Sequence, residues 1–371
     1  MQSGDFAGRR APPCDILAVV QAVDRGGTGI FGGWIMKRRA AYVLSSAILA
    51  IQGRARGAIV YDVPAGNTTP LNNNVIWNSV GAFGSGGGVV IGTNTFITVD
   101  HVGGESPGGP FSLVTTVNNV TTTTTYTTTA AAVVPTTDLV VFQVNGTFAA
   151  TSIAPLYTGT AAQQVGASLS MVGNGYATQG AAIVTNSVTN GWYWAGNQVK
   201  NYSQNTVYTV ANDSLSNSQS LDYLFQPISG QNEGIYASGD SGGGAFIFNG
   251  GEFQLAGLAD NIAPAYYQET SPGVYTLLSD GHAGAGVFDA AIYDGTNLYV
   301  EVSPGDYETA NSQGYQNEYG VASDIQEYES QILAAQASLV PEPASGAIVT
   351  GMLLRLALRR RHGNGLCQRG R

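Results

Sequence analysis

From Ile59 to about Val302 the chain is written in short runs of Val, Ile, Thr, Tyr and Phe, each closed by Gly, Asn or Pro. β-branched and aromatic side chains suit a pleated, half-buried surface, and Gly or Asn supplies the backbone freedom that tight turns need. The clearest strands are Val89–Ile97, Phe111–Val117, Leu139–Val144, Leu169–Val172, Ala181–Val188, Ala245–Phe248 and Phe253–Leu258. Helical spacing is confined to Val321–Ala337, where Ile325, Tyr328, Ile332 and Leu333 recur. The pattern predicts an all-β protein with one helix near its end. The threonine tract Thr121–Ala132 is expected to be an exposed edge hairpin running into the strand that opens at Asp138.

Charge is distributed unevenly. Between Ala58 and Val340 there is one basic residue, Lys200, against 21 Asp and Glu, a net charge of −20. The other 14 Lys and Arg lie before or after that stretch. A nucleic-acid surface needs clustered cations, so this segment excludes nucleic acid as a partner. No Asp-rich loop matches a calcium template, and the acidity is expected to be a solvated, repulsive surface. The two cysteines, Cys14 and Cys367, sit at the extremes and leave the intervening chain without a disulfide.

Both ends carry processing features. Met36-Lys37-Arg38-Arg39 and the apolar run Ala40–Ile51 form a secretory signal at 36–57, with Ala55 and Gly57 placing the cut before Ala58. Residues 1–35 are patternless and are expected to be an extension upstream of the real start at Met36. At the other end, Val340-Pro341-Glu342-Pro343 precedes the short apolar segment Ala344–Leu358 and then Arg359-Arg360-Arg361. Segment 338–361 resembles a PEP-CTERM sorting signal, with 362–371 as a tail. The resemblance implies export machinery and an exosortase-like transpeptidase as partners. It also implies transient membrane contact through the C-terminal segment, and a mature protein on the cell surface or in the extracellular matrix.

The chemistry-bearing stretch is Gly239-Asp240-Ser241-Gly242-Gly243. Flanking glycines expose a serine hydroxyl, and the amides of Gly239 and Ser241 can converge on a developing oxyanion. A serine needs a base and a group to orient it. His101 and Asp138 stand upstream, in the order His, Asp, Ser. Four blocks resemble the trypsin-like serine proteases: Gly86–Gly92 with Ile97–Val102, Asp138–Val141, Ser238–Gly243 and Ser271–Thr276. The sequence departs from that family at Asp100, where a small residue is usual, and at Gly244, where proline is usual.

The resemblance implies two orthogonal antiparallel six-stranded β-barrels, at 58–155 and 156–337, with a C-terminal helix packed on the second and an insertion at about 277–318. It implies an exported endopeptidase acting on protein or peptide substrates, with His101, Asp138 and Ser241 catalytic and neither metal nor cofactor. Ile235 would form the base of the substrate pocket, followed by Tyr236, with Gly273 in its wall. That apolar base predicts preference for apolar side chains, small or medium if Tyr236 narrows the pocket. In this family a freed Ile-Val terminus pairs with the aspartate before the serine, here Asp240. A cut before Ala58 leaves the terminus one residue too long, so Asp240 is expected to be satisfied internally by amides or hydroxyls. Two other readings stay open: a catalytically weak or inactive surface adhesion protein on the same fold, and an α/β-hydrolase-type esterase using Ser241, Asp260 and His282.

Overall fold

Two closed antiparallel β-barrels of six strands each make up most of the fold, followed by one long helix. The computed structural model describes residues 58–213 and 218–339, which fall in a single compact unit. The expected signal peptide at 36–57, the expected upstream extension at 1–35, and the expected sorting segment and tail beyond residue 339 lie outside the described residues.

After the short strand β1 (Ile59–Val60), the first barrel is built from β2 (Val80–Phe83), β3 (Gly86–Val90), β4 (Thr95–Val99), β5 (Pro110–Val117), β6 (Val120–Val133) and β7 (Leu139–Val144), ordered β2-β3-β4-β7-β6-β5. Its centre is aromatic. Phe96 stacks on Phe111 at 4.1 Å and on Phe142 at 5.4 Å, while Phe83 meets both Phe96 and Phe142. The threonine tract divides its duties. Thr121–Thr127 pair with β5 as an exposed hairpin and Thr128–Val133 pair with β7, so β6 has neighbours on both sides in the closed barrel and is not the edge strand expected.

The second barrel uses β8 (Ser168–Gly173), then, after the hairpin β9 (Tyr176–Thr185) and β10 (Val188–Gln198), β11 (Asn201–Asp213) and β12 (Ser218–Leu224). Past β13 (Gly234–Ile235) it continues with β14 (Gly244–Asn249) and β15 (Glu252–Ala263). It closes with β21 (Tyr319–Asp324), in the order β11-β12-β21-β15-β14-β8. β1 is drawn in beside it, Ile59 opposite Ile235 and Val60 opposite Gly234.

Between β15 and β21 come β16 (Tyr266–Ser271), β17 (Val274–Leu277), β18 (Ala290–Ile292), β19 (Tyr299–Ser303) and β20 (Asp306–Thr309). β18 extends the β9–β10 hairpin, and the other four form a sheet ordered β17-β16-β19-β20. The insertion therefore begins near Tyr266, earlier than its predicted start. The sheet is an internal duplication. Tyr-x-Glu-x-Ser-Pro-Gly-x-Tyr occurs at 267–275 and again at 299–307. Each glutamate accepts the amide of its own turn glycine and the hydroxyl of the other copy's tyrosine.

The C-terminal helix and a buried lysine are among the features that tie the barrels together. The helix Ile325–Ser338 is capped by Asp324, whose side chain accepts the Gln326 amide. The predicted helix thus loses its first four residues to β21. The helix packs on both barrels rather than the second alone: Ile325, Ile332 and Ala335 join the first barrel's core, and Gln336 donates to Thr95 Oγ1 at 2.7 Å. Lys200, buried, reaches across to donate to the carbonyls of Val80 (2.5 Å) and Val114 (2.9 Å), with its Nζ 5.0 Å from the Trp77 ring. Burial holds its ammonium well below the ordinary lysine range.

Candidate active site

The β4–β7 register brings His101 and Asp138 together. Val99 pairs with Leu139, and Asp100 N–H donates to the Asp138 carbonyl at 2.8 Å, so the residues beyond each strand end are neighbours. The short helix Asp100–Gly103 then turns the His101 ring back, and its Nδ1 meets Asp138 Oδ2 at 2.5 Å. His101 titrates above the ordinary imidazole value. The Asp138 hydrogen bond is the main cause and burial opposes it, while the charges of Asp138, Asp260 and Asp100 add to the rise. The ring stays 44% exposed at the cleft.

Ser241 sits in the loop between β13 and β14, and hydrogen bonds pin this loop on three sides. Gly242 N–H donates to Ala259 O (2.7 Å), Gly243 N–H to Asp240 O (2.7 Å), and Gly87 N–H, from the first barrel, to Ser241 O (2.7 Å). Gly242 has φ of 78°, and a Cβ there would lie 2.2 Å from the Gly87 carbonyl oxygen, so no other residue fits. Among the described residues the amides of Gly239 and Ser241 donate to no carbonyl, whereas those of Asp240, Gly242 and Gly243 do. Ser241 Oγ donates at 3.4 Å to the Asp260 carbonyl oxygen and not to His101.

Asp240 is fully buried and accepts from the amides of Gly175 (2.7 Å), Ala237 (2.8 Å) and Ala58 (2.8 Å). Burial pushes it up to about 7, although these amides pull the other way. The expectation of internal amides holds for Gly175 and Ala237. The inference that Ala58 makes the terminus one residue too long does not hold. The nitrogen at Asp240 is that of Ala58 itself, because pairing of Ile59 with Ile235 sets the register there.

A pocket of about 260 Å³ opens beside Ser241 and Asp260, walled by Trp194, Tyr236, Ile262, Ala265, Val287 and Phe288. Tyr236 is where the sequence placed it. Ile235 is not in the lining; strand alternation turns it into the second barrel's core, fully buried. Gly273 is not there either. Pro272-Gly273 forms the exposed turn between β16 and β17, where φ of 74° at Gly273 suits the third position of a type II turn. The block Ser271–Thr276 therefore lies outside the barrel, whose closing strand is β21. Val287 and Phe288 come from the loop joining the duplicated hairpins, a wall no local sequence pattern announces.

The esterase arrangement is not assembled. Strands β13 and β14 flank Ser241 where that fold needs a strand-to-helix turn, and His282 Nδ1 pairs with Asp280 at 2.7 Å. Asp260 lies instead at His101. A His101 ring nitrogen and carboxylate oxygens of Asp138 and Asp260 all fall within 4.8 Å of one another. The carboxylate nearest in sequence, Asp100, has an oxygen buried without a hydrogen-bond partner.

In comparisons with known proteins, no family model matches the chain and no curated protein sequence matches it.

Proposed function

We propose that the protein is an exported serine endopeptidase of the trypsin-like kind. The observation that carries this is the His101–Asp138 pair, drawn from the first barrel to the cleft where Ser241 of the second lines an apolar pocket. On this reading Ser241 Oγ rotates from the Asp260 carbonyl to His101, which takes its proton as the oxygen attacks a peptide carbonyl. Apo-state hydrogen bonds of this sort are often longer or misdirected until substrate arrives. The amides of Gly239 and Ser241 stabilise the tetrahedral oxyanion, and His101 returns the proton to the leaving amine. Water then hydrolyses the acyl-enzyme. A pocket of aromatic and aliphatic walls favours an apolar side chain before the scissile bond, since a buried Lys or Arg would lack a counter-charge. On this reading the mature enzyme works outside the cell, after processing by the export machinery and an exosortase-like enzyme, as the signal-like segments at both ends suggest.

The turn of Ser241 Oγ toward Asp260 favours a second reading, an inactive adhesion domain on this fold. A fluorophosphonate probe separates the two. The wild type is expected to label covalently, Ser241→Ala and His101→Ala to lose peptide hydrolysis by about 10⁶-fold, and His282→Ala to stay near wild type. A wild type inert to the probe defeats the enzymatic reading, and activity that depends on His282 but not His101 defeats the site.

A further inference from the structure

Asp260 faces both halves of the reacting group: its carbonyl oxygen accepts the Ser241 hydroxyl at 3.4 Å, and a carboxylate oxygen lies within 4.8 Å of a His101 ring nitrogen. Its neighbours on β15 lock the nucleophile loop: Gly242 N–H donates to Ala259 O, and Ala259 N–H to Gly243 O at 2.8 Å. The β15–β21 register then slips. Ala259 pairs with Ala322 and Asn261 with Val321, which leaves Asp260 as the extra residue of a β-bulge. Bulges re-aim side chains and recur beside active sites. Here Asp260 Oδ2 accepts the hydroxyl of Ser323, itself fully buried on β21, at 2.8 Å. Asp260 is 8% exposed, so its charge acts with little solvent screening.

We propose that Asp260 is a positioning residue that works with Asp138 as a two-carboxylate support for His101, so that the second barrel, which carries the nucleophile, also holds the base supplied by the first. This rests on the serine-hydrolase reading of the same site. When Ser241 gives its proton to His101, the imidazolium formed faces Asp138 at the head of β7, Asp260 on β15 and Asp100 on its own short helix. The Ser323 hydroxyl fixes the Asp260 carboxylate in place, so that it faces the positive charge on the ring as that charge forms.

The test compares the protein beginning at Ala58 with its Asp260→Asn, Asp260→Ser and Asp100→Asn variants, each checked for a cooperative thermal melt. His101 is titrated by NMR, which needs no turnover, and the pH dependence of fluorophosphonate reaction is measured in parallel. Removing the Asp260 charge is expected to lower the His101 midpoint by about one unit. The acidic limb of probe reaction should move down with it, and the plateau rate should fall about tenfold. Asp100→Asn is expected to do the same more weakly. A reactive protein whose His101 midpoint does not move in either Asp260 variant overturns the proposal while the hydrolase reading stands, even if the rate falls. A midpoint that moves in a protein inert to the probe supports the coupling and removes the hydrolase reading instead.

Discussion

The two barrels share a strand count and differ in what they bury. The first is filled with phenylalanine, Phe96 at the hub between Phe83, Phe111 and Phe142, and its polar burden is neutral: Asn78, Ser79, Thr95, Thr98, Thr116 and Thr128. The second buries acids. Glu233, Asp240, Asp260, Glu318 and Asp324 are each no more than 8% exposed, and Asp289 of the inserted loop is fully buried. Burial raises Glu233 and Asp240 to about 7 and Asp324 to about 6, and holds Glu318 well above the carboxylate range. Close-packed aromatics give the first barrel a stability that does not depend on protons. The second exchanges part of that constancy for a polar scaffold that fixes Ser241, Asp260 and the buried nitrogen at Asp240. On the serine-hydrolase reading, the base would come from the aromatic-filled barrel and the nucleophile from the one that buries acids.

The largest effect that would sharpen this contrast is in the first barrel. Phe96→Ala removes a ring stacked on two others, and is expected to cost about 3–5 kcal/mol. The loss should be the same at pH 5 and pH 8, as read from urea melts. A cost that varied with pH would mean that the acids of the second barrel govern both halves.

A smaller effect should come from the second barrel's own acids. Glu233, Asp240, Glu318 and Asp324 have folded pKa values above their unfolded ones. Their contribution is therefore complete below about pH 4 and is lost as pH rises through 6 to 7 and, for Glu318, beyond. His101, also raised, contributes in the same direction. The whole protein should be more stable at pH 5 than at pH 8. Glu318 Oε2 accepts the Ile292 amide at 2.8 Å, and a neutral glutamine can keep that bond. Glu318→Gln should leave stability near unchanged at pH 4 and raise it by about 1–2 kcal/mol at pH 8. Equal melts of the two proteins at pH 8 would mean that Glu318 ionises as easily in the folded protein as in the unfolded chain, and that burial does not raise it.

The sequence made the barrels legible because their strands are short, β-branched and separated by strong turn residues, and because the one helical period falls at the end. His101 and Asp138 were legible for the same reason: Asp138 directly precedes the strand Leu139–Val144, and His101 stands just beyond the end of a strand. The pocket was less so. Its wall is made by Trp194, Val287 and Phe288, which come together only through the added sheets. Ser-Pro-Gly misled because it is turn chemistry first: the string stands at 271–273 and again at 303–305, at the tips of two equivalent hairpins. In the sequence Asp260 reads only as the acid of the esterase alternative, paired with His282 rather than with His101. A bulge of one residue, invisible to a period of two, decides which way it points.

The smallest effect concerns the junction of β1 with the second barrel. Ala58 is buried, holds a left-handed φ of 63° unusual for alanine, and donates its nitrogen to Asp240. In a chain that continues upstream that nitrogen is an amide, which leaves Asp240 near 7 and makes it a further source of stability lost as pH rises. In a chain cut before Ala58 the same atom is an ammonium. It would lower the Asp240 pKa and turn its contribution around, to one present above about pH 4 and kept until the amine itself deprotonates. Each unit by which the pKa falls is worth about 1.4 kcal/mol. Protein beginning at Ala58 should therefore keep its stability from pH 5 to pH 8 better than protein acetylated at Ala58 or extended by a few residues. Activity at pH 8 should follow, because Asp240 anchors the loop that carries Ser241. Parallel pH profiles for the three forms would show that the amine does not reach Asp240. The original expectation would then be restored, with Gly175 and Ala237 sufficient to hold the buried carboxyl.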